Sequence, residues 1–94
     1  MSDRVDVVVG RRLKARRRLL GLSQKRLGNS CGVTFQQIQK YECAVTKLSA
    51  NMLWKLACAL DVEISYFFSG LTREAAGDDE RVVMLEPRRM GQTI

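Results

Sequence analysis

Histidine is absent from the 94 residues, and proline occurs once. Without histidine, none of the three cysteines (Cys31, Cys43 and Cys58) has the usual base to activate it. An enzyme is therefore the weakest class for this chain. The cysteines lie 12 and 15 residues apart with no C-x-x-C pair, so the ligand spacing of a structural zinc site is missing too. No metal or other cofactor is expected. An odd cysteine count suits a reducing compartment better than a disulfide framework. No apolar run approaches the ~20 residues a membrane helix needs. The start, MSDRVDVVVG, lacks the apolar stretch of a signal peptide. The expectation is a soluble protein of the bacterial cytoplasm, short enough for one domain with a 24-residue tail.

Acidic residues are scarce where basic ones are dense. Residues 1–50 hold 11 Lys and Arg against 3 Asp and Glu, a surplus of +8, whereas residues 51–94 hold 5 against 7, or −2. A basic half suggests a polyanionic partner, although charge alone fits a solvated helix face as well.

What remains is helical throughout. Asp6 is a candidate N-cap, after which Val9, Leu13, Arg16, Arg17 and Leu20 recur at helical spacing, with Gly21 as a stop. Ser23 caps a second helix bearing Leu27 and Cys31, ended by Gly32. Thr34 caps a third that runs to about Glu42. Ser49 caps a fourth with Leu53, Leu56, Ala57 and Leu60 on one face, a pattern that Asp61 breaks. ISYFFSG makes a short fifth helix ending near Gly70. The fold class is all-α, with a five-helix domain over residues 6–70 and a polar tail over 71–94 whose VVML segment could dock locally.

Residues 23–42 carry the chemistry. Two short helices meet through SCGV, the outline of a helix-turn-helix. Gly28 sits where the second helix must approach the third, and a side chain larger than alanine would push them apart. Leu27, Cys31, Val33, Ile38 and Tyr41 can close over one another. At ~100° per residue, Ile38 and Tyr41 face inward and Gln36 lies nearly opposite, with Phe35 and Gln37 flanking and Gln39 and Lys40 well outward. Gln36 and Gln37 fall in the first turn, the end that a recognition helix presents to a major groove. A glutamine amide both donates and accepts, which matches adenine N6 and N7, and Phe35 could cover a thymine methyl. The bland alternative is glutamines that merely solvate a helix. Within this turn and beside the basic first helix, DNA binding is the stronger reading.

The stretch VGRRLKARRRLLGLSQKRLGNSCGVTFQQIQKYE, followed by a capped helix and ISYFFSG, resembles the Cro/C1-type (XRE) helix-turn-helix transcriptional regulators, in particular the small alphaproteobacterial ones. The likeness runs from about Val9 to Gly70. It implies a lambda-repressor-like domain that binds double-stranded operator DNA as a dimer on a near-palindrome, mostly as a repressor. By position, Gln24 would hold a phosphate and brace the recognition helix. Thr34, Phe35, Gln36, Gln37 and Lys40 would form the recognition surface, and Thr46 and Lys47 a backbone-contacting loop. Arg17 and Glu42 match an internal ion pair. The loop departs from the family pattern: Cys43-Ala44-Val45 has no glycine, so a left-handed turn there must fall on another residue.

Of the other basic residues, Lys25 and Arg26 are better placed for phosphate than Arg11, Arg12, Lys14 or Arg18, although Arg11 or Arg12 could also reach DNA. Trp54, beside the core stripe of the fourth helix and on the flank of Cys58, is expected to pack under the tail rather than to form part of a partner surface. Phe67 and Phe68 are adjacent, so one is expected in the core and the other, with Ile64, in a dimer seam; Ile64, Phe67, Phe68 and the tail are together the dimer candidates. An antitoxin or phage-type repressor that uses the tail to hold a protein partner, and a protein-binding module that does not touch DNA, are the competing functions.

Overall fold

The computed structural model describes residues 4–71. Four α-helices follow in order: α1 (Arg4–Leu19), α2 (Gln24–Cys31), α3 (Phe35–Glu42) and α4 (Ala50–Leu60), with a single 3-10 turn over Ile64–Phe68. Ser23, Thr34 and Ser49 each cap the helix that follows, their hydroxyls accepting from the backbone N–H of Arg26, Gln37 and Met52. Each such cap is worth about 1 kcal/mol. Asp6 is not a cap: α1 starts two residues earlier, and Asp6 lies in its first turn, where a carboxylate meets the positive end of the helix. The expected fifth helix is a 3-10 turn of five residues.

All four helices end in the same loop, in which the N–H of the residue after the left-handed one reaches back five residues. Leu22 bonds the Arg17 carbonyl at 3.0 Å, Val33 that of Gly28 at 2.9 Å, Val45 that of Lys40 at 2.9 Å and Val62 that of Ala57 at 3.1 Å. That loop requires one left-handed residue. Gly21 and Gly32 supply it at no steric cost, but Ala44 (φ 61°) and Asp61 (φ 56°) supply it in the other two. The glycine-free loop after α3 therefore keeps the left-handed turn, borne by Ala44 at a cost of about 1 kcal/mol.

Leu13, Leu27, Ile38, Leu56, Leu60 and Phe67 are fully enclosed at the centre. Each large apolar side chain so buried contributes about 1.5–3 kcal/mol. Cys31 joins this core, and burial pushes its thiol pKa up. Leu20, expected on the buried stripe of α1, is 42% exposed, because the helix has already ended at Leu19. Two glycines set the closest approaches. A Cβ on Gly28 would stand 2.6 Å from the Val33 carbonyl oxygen, so even alanine does not fit, which tightens the limit read from sequence. A Cβ on Gly10 would stand 2.7 Å from the carbonyl oxygens of both Tyr41 and Glu42, so α1 crosses the end of α3 at backbone distance.

The basic run of α1 is turned partly toward the molecule's own C-terminal elements. Arg16 donates from Nε to the Leu60 carbonyl at 2.9 Å and from Nη2 to that of Asp61 at 3.3 Å, closing the end of α4. Arg12 donates to the Ser69 carbonyl at 3.2 Å and stacks over the Tyr66 ring, whose hydroxyl donates back to the Arg12 carbonyl at 2.8 Å. These contacts fasten the 3-10 turn to α1 and give Arg12 a structural occupation.

Candidate nucleic-acid interface

The surface of interest is built outward from a buried carboxylate. Ile38, Tyr41 and Glu42 form the inner face of α3. Glu42 accepts from Arg17 Nε at 2.6 Å and Nη2 at 3.2 Å, a two-pronged match between guanidinium and carboxylate. A third donor, Gln24 Nε2, reaches Glu42 Oε1 at 3.0 Å. Arg17 spends its remaining fork on the Leu22 carbonyl at 2.8 Å. One carboxylate thus ties α1, α2 and α3 together and fixes the rotation of α3 about its axis. Relative to an apolar pair its net stabilisation is small, but removing one partner would strand the other charge in a dry site.

With the inner face fixed, the outer face follows. Phe35, Gln36, Gln39 and Lys40 are exposed and Gln37 is half-buried. Phe35 keeps 46% of its surface in solvent, which is unusual for an aromatic ring at the start of a helix that packs well on its other side. Thr34 is also exposed; its oxygen accepts from the Gln37 N–H at 3.1 Å, and that bond does not use its hydroxyl proton. Gln24 is half-buried and uses one amide hydrogen on Glu42, so the other remains for a group outside the protein. Lys25 is exposed beside it. In the loop after α3, Thr46 is half-buried and Lys47 is exposed, with its Nζ 3.5 Å from Asp6 Oδ2. The arrangement offers amides and a flat ring in the middle, with ammonium groups and a hydroxyl around them.

A family model described as Helix-turn-helix matches residues 13–67. The chain belongs to the Cro/C1-type (XRE) helix-turn-helix family. An uncharacterised HTH-type transcriptional regulator of Sinorhizobium medicae is 42% identical over 73 residues, covering 78% of this chain and 52% of its own. An uncharacterised transcriptional regulator in the ATPase CF(0) region of Rhodospirillum rubrum is 47% identical over 87 residues, covering 93% of this chain and 77% of its own. The chain spans about half the length of several of the curated relatives it matches. Among solved structures, the restriction-modification controller protein C.AhdI from Aeromonas hydrophila superposes with a TM-score of 0.65 at 33% identity, over 67% of this chain and 96% of that one. The P22 c2 repressor, solved in complex with synthetic operator 9T, superposes with a TM-score of 0.62 at 32% identity, again over 67% and 96%.

As a Cro/C1-type domain, the chain has all nine sequence-derived candidates (Gln24, Lys25, Thr34, Phe35, Gln36, Gln37, Lys40, Thr46 and Lys47) at least partly accessible. The dimer candidates fare differently. Phe67 is 0% exposed and belongs to the core, so it cannot line a seam; Phe68, 38% exposed, is the outward member of the pair. Ile64 shares a shallow groove with Trp54, Cys58 and Val62, whereas Phe68 lines a separate cavity of about 150 Å³ with Val5, Val9 and Leu53. Trp54 does not pack as expected: it is 62% exposed, one step round α4 from the buried Ala57. The tail beyond Leu71, with its VVML segment, lies outside the described residues. Sequence reading missed Gly10, although the argument applied to Gly28 would have found it: a mid-helix glycine costs about 1 kcal/mol against alanine and so asks for a packing reason. It also missed that Asp6 faces Lys47, since contact across 41 positions leaves no local signal.

Proposed function

We propose that this regulator is a transcriptional repressor that binds double-stranded DNA as a dimer on a near-palindromic operator, with the first turn of α3 in the major groove. The observation that carries the reading is Gln36, exposed in that turn while the Glu42–Arg17–Gln24 junction holds the opposite face rigid. Gln36 and Gln37 would read base edges, adenine by preference, with Phe35 against a thymine methyl. Gln24, Lys25, Thr34, Lys40, Thr46 and Lys47 would contact phosphate or frame the groove, setting register rather than sequence. Occupying a promoter requires no catalytic group. The likeness to the P22 c2 repressor, whose structure holds operator DNA, supports the same use of the fold here.

The exposed Trp54 with Ile64, together with Phe68, supplies apolar surface for a second copy. Two copies would set half-site centres about 34–36 Å apart. The test is titration of genomic duplex fragments followed by footprinting of a retained site. A pair making 6–10 phosphate contacts should lose about 10³–10⁵ in affinity between 50 and 200 mM salt, and its footprint should show two related half-sites. Binding that ignores salt, or no complex at low salt, would instead make this a protein-binding module.

A further inference from the structure

Eleven Lys and Arg fall within residues 4–50, and only two acidic residues, Asp6 and Glu42, accompany them. The two carboxylates differ in kind. The Glu42 side chain is 2% exposed and closed by Arg17, whereas that of Asp6 is 23% exposed. Asp6 is therefore the one carboxylate open to solvent among described residues 4–50. It is held at the start of α1, a helix whose backbone is locked to the end of α3 at Gly10. From there Oδ2 lies 3.5 Å from Nζ of Lys47, in the loop that follows α3. The Lys47 side chain is 79% exposed, so its ammonium meets Asp6 on one side and solvent on the others.

We propose that Asp6 is a charge brake on this loop: it occupies Lys47 in the free protein and repels the phosphodiester that Lys47 approaches, weakening backbone attraction to every duplex alike. The proposal rests on the reading of Lys47 as a backbone contact. An oxygen of that phosphate, hydrogen-bonded to Nζ at about 2.8 Å, would stand roughly 6 Å from the carboxylate. Two like charges at that separation in water repel by an amount equal to about threefold in affinity at low salt, less as salt screens them. An exposed pair of this length holds itself only weakly, so a phosphate can displace it. The consequence is a shorter stay on unrelated DNA, with base contacts carrying a larger share of binding.

The experiment uses the full chain and a mixed-sequence 20-base-pair duplex at 50 and 200 mM salt. Asp6→Asn keeps the shape and removes the charge. It is expected to bind about two- to fourfold more tightly at 50 mM, with the gain shrinking at 200 mM. In a Lys47→Ala background the gain should shrink, because only the direct repulsion of phosphate by Asp6 remains. Equal or weaker binding by Asp6→Asn would overturn the proposal and make Asp6 a loop anchor. A gain equally large in the Lys47→Ala background would overturn it as well, because occupying Lys47 would then contribute nothing. A wild-type chain that binds no duplex at either salt would refute the DNA reading itself, whereas binding without the Asp6→Asn gain refutes only the brake.

Discussion

Replacing Gly28 with alanine separates two explanations of this glycine by the sign of the effect. If Gly28 were an ordinary mid-helix glycine, alanine would raise stability by about 1 kcal/mol through helix propensity. The structure argues the opposite. The new methyl would sit 2.6 Å from the Val33 carbonyl oxygen and 3.2 Å from the Thr34 carbonyl group, where ordinary contact begins near 3.4 Å. The Val33 carbonyl would have to retreat by about 0.8 Å, the difference between 3.4 and 2.6 Å. It cannot swing aside as a side chain could, because it leads directly into Thr34, the cap of α3. Overpacking costs about 1–3 kcal/mol, and a backbone neighbour puts this case near the upper end. Set against the propensity gain, the net loss is about 2 kcal/mol. At about 4–8 °C per kcal/mol for a domain of this size, Tm should fall by roughly 8–16 °C. Thermal unfolding of the full chain followed by circular dichroism reads this directly. A rise in Tm of several degrees would refute the close approach of α2 to the turn.

The other consequences follow from single contacts. Glu42→Ala should cost about 3–5 kcal/mol in chemical denaturation, because it leaves the Arg17 guanidinium buried without its partner; a loss under 1 kcal/mol would mean that the junction relaxes freely. Ala44→Gly should stabilise by about 0.5–1 kcal/mol, because glycine takes the left-handed turn after α3 without strain; destabilisation would show that the turn is not left-handed in solution. Two thiols, Cys43 and Cys58, should react quickly with an aromatic disulfide at neutral pH, and the buried, raised-pKa Cys31 only after denaturation. Above the usual thiol range the unfolded Cys31 ionises before the folded one, so this residue's contribution makes stability fall as pH rises; three fast thiols would contradict the burial.

Much of the fold was legible because local chemistry determines it. Ser23, Thr34 and Ser49 cap where their hydroxyls precede apolar periodicity, and Gly21 and Gly32 stop helices where only a left-handed residue closes the loop. The outward face of α3 followed from the inward positions of Ile38 and Tyr41. What was not legible depends on tertiary context. Nothing local distinguishes Phe67 from Phe68; the packed core encloses the first and leaves the second 38% exposed. Nothing local sends Arg16 and Arg12 to the carbonyls of Leu60 and Ser69 rather than to solvent. Asp6 carries the signature of a cap because an aspartate before an apolar run reads the same in the first turn of a helix, and Arg4 and Val5 before it already belong to α1. Trp54 is expected to pack because it lies beside the stripe of Leu53, Leu56 and Leu60, yet that register on α4 leaves it 62% exposed.

The central claim concerns Gln36, and selection from a library of random duplexes with wild-type chain and with Gln36→Ala tests it most directly. The account predicts that the wild type enriches a two-fold symmetric site, and that the variant binds about 1–3 kcal/mol more weakly with preference lost at one base pair of each half. Enrichment of the same site by Gln36→Ala, with equal strength and equal selectivity, would contradict it.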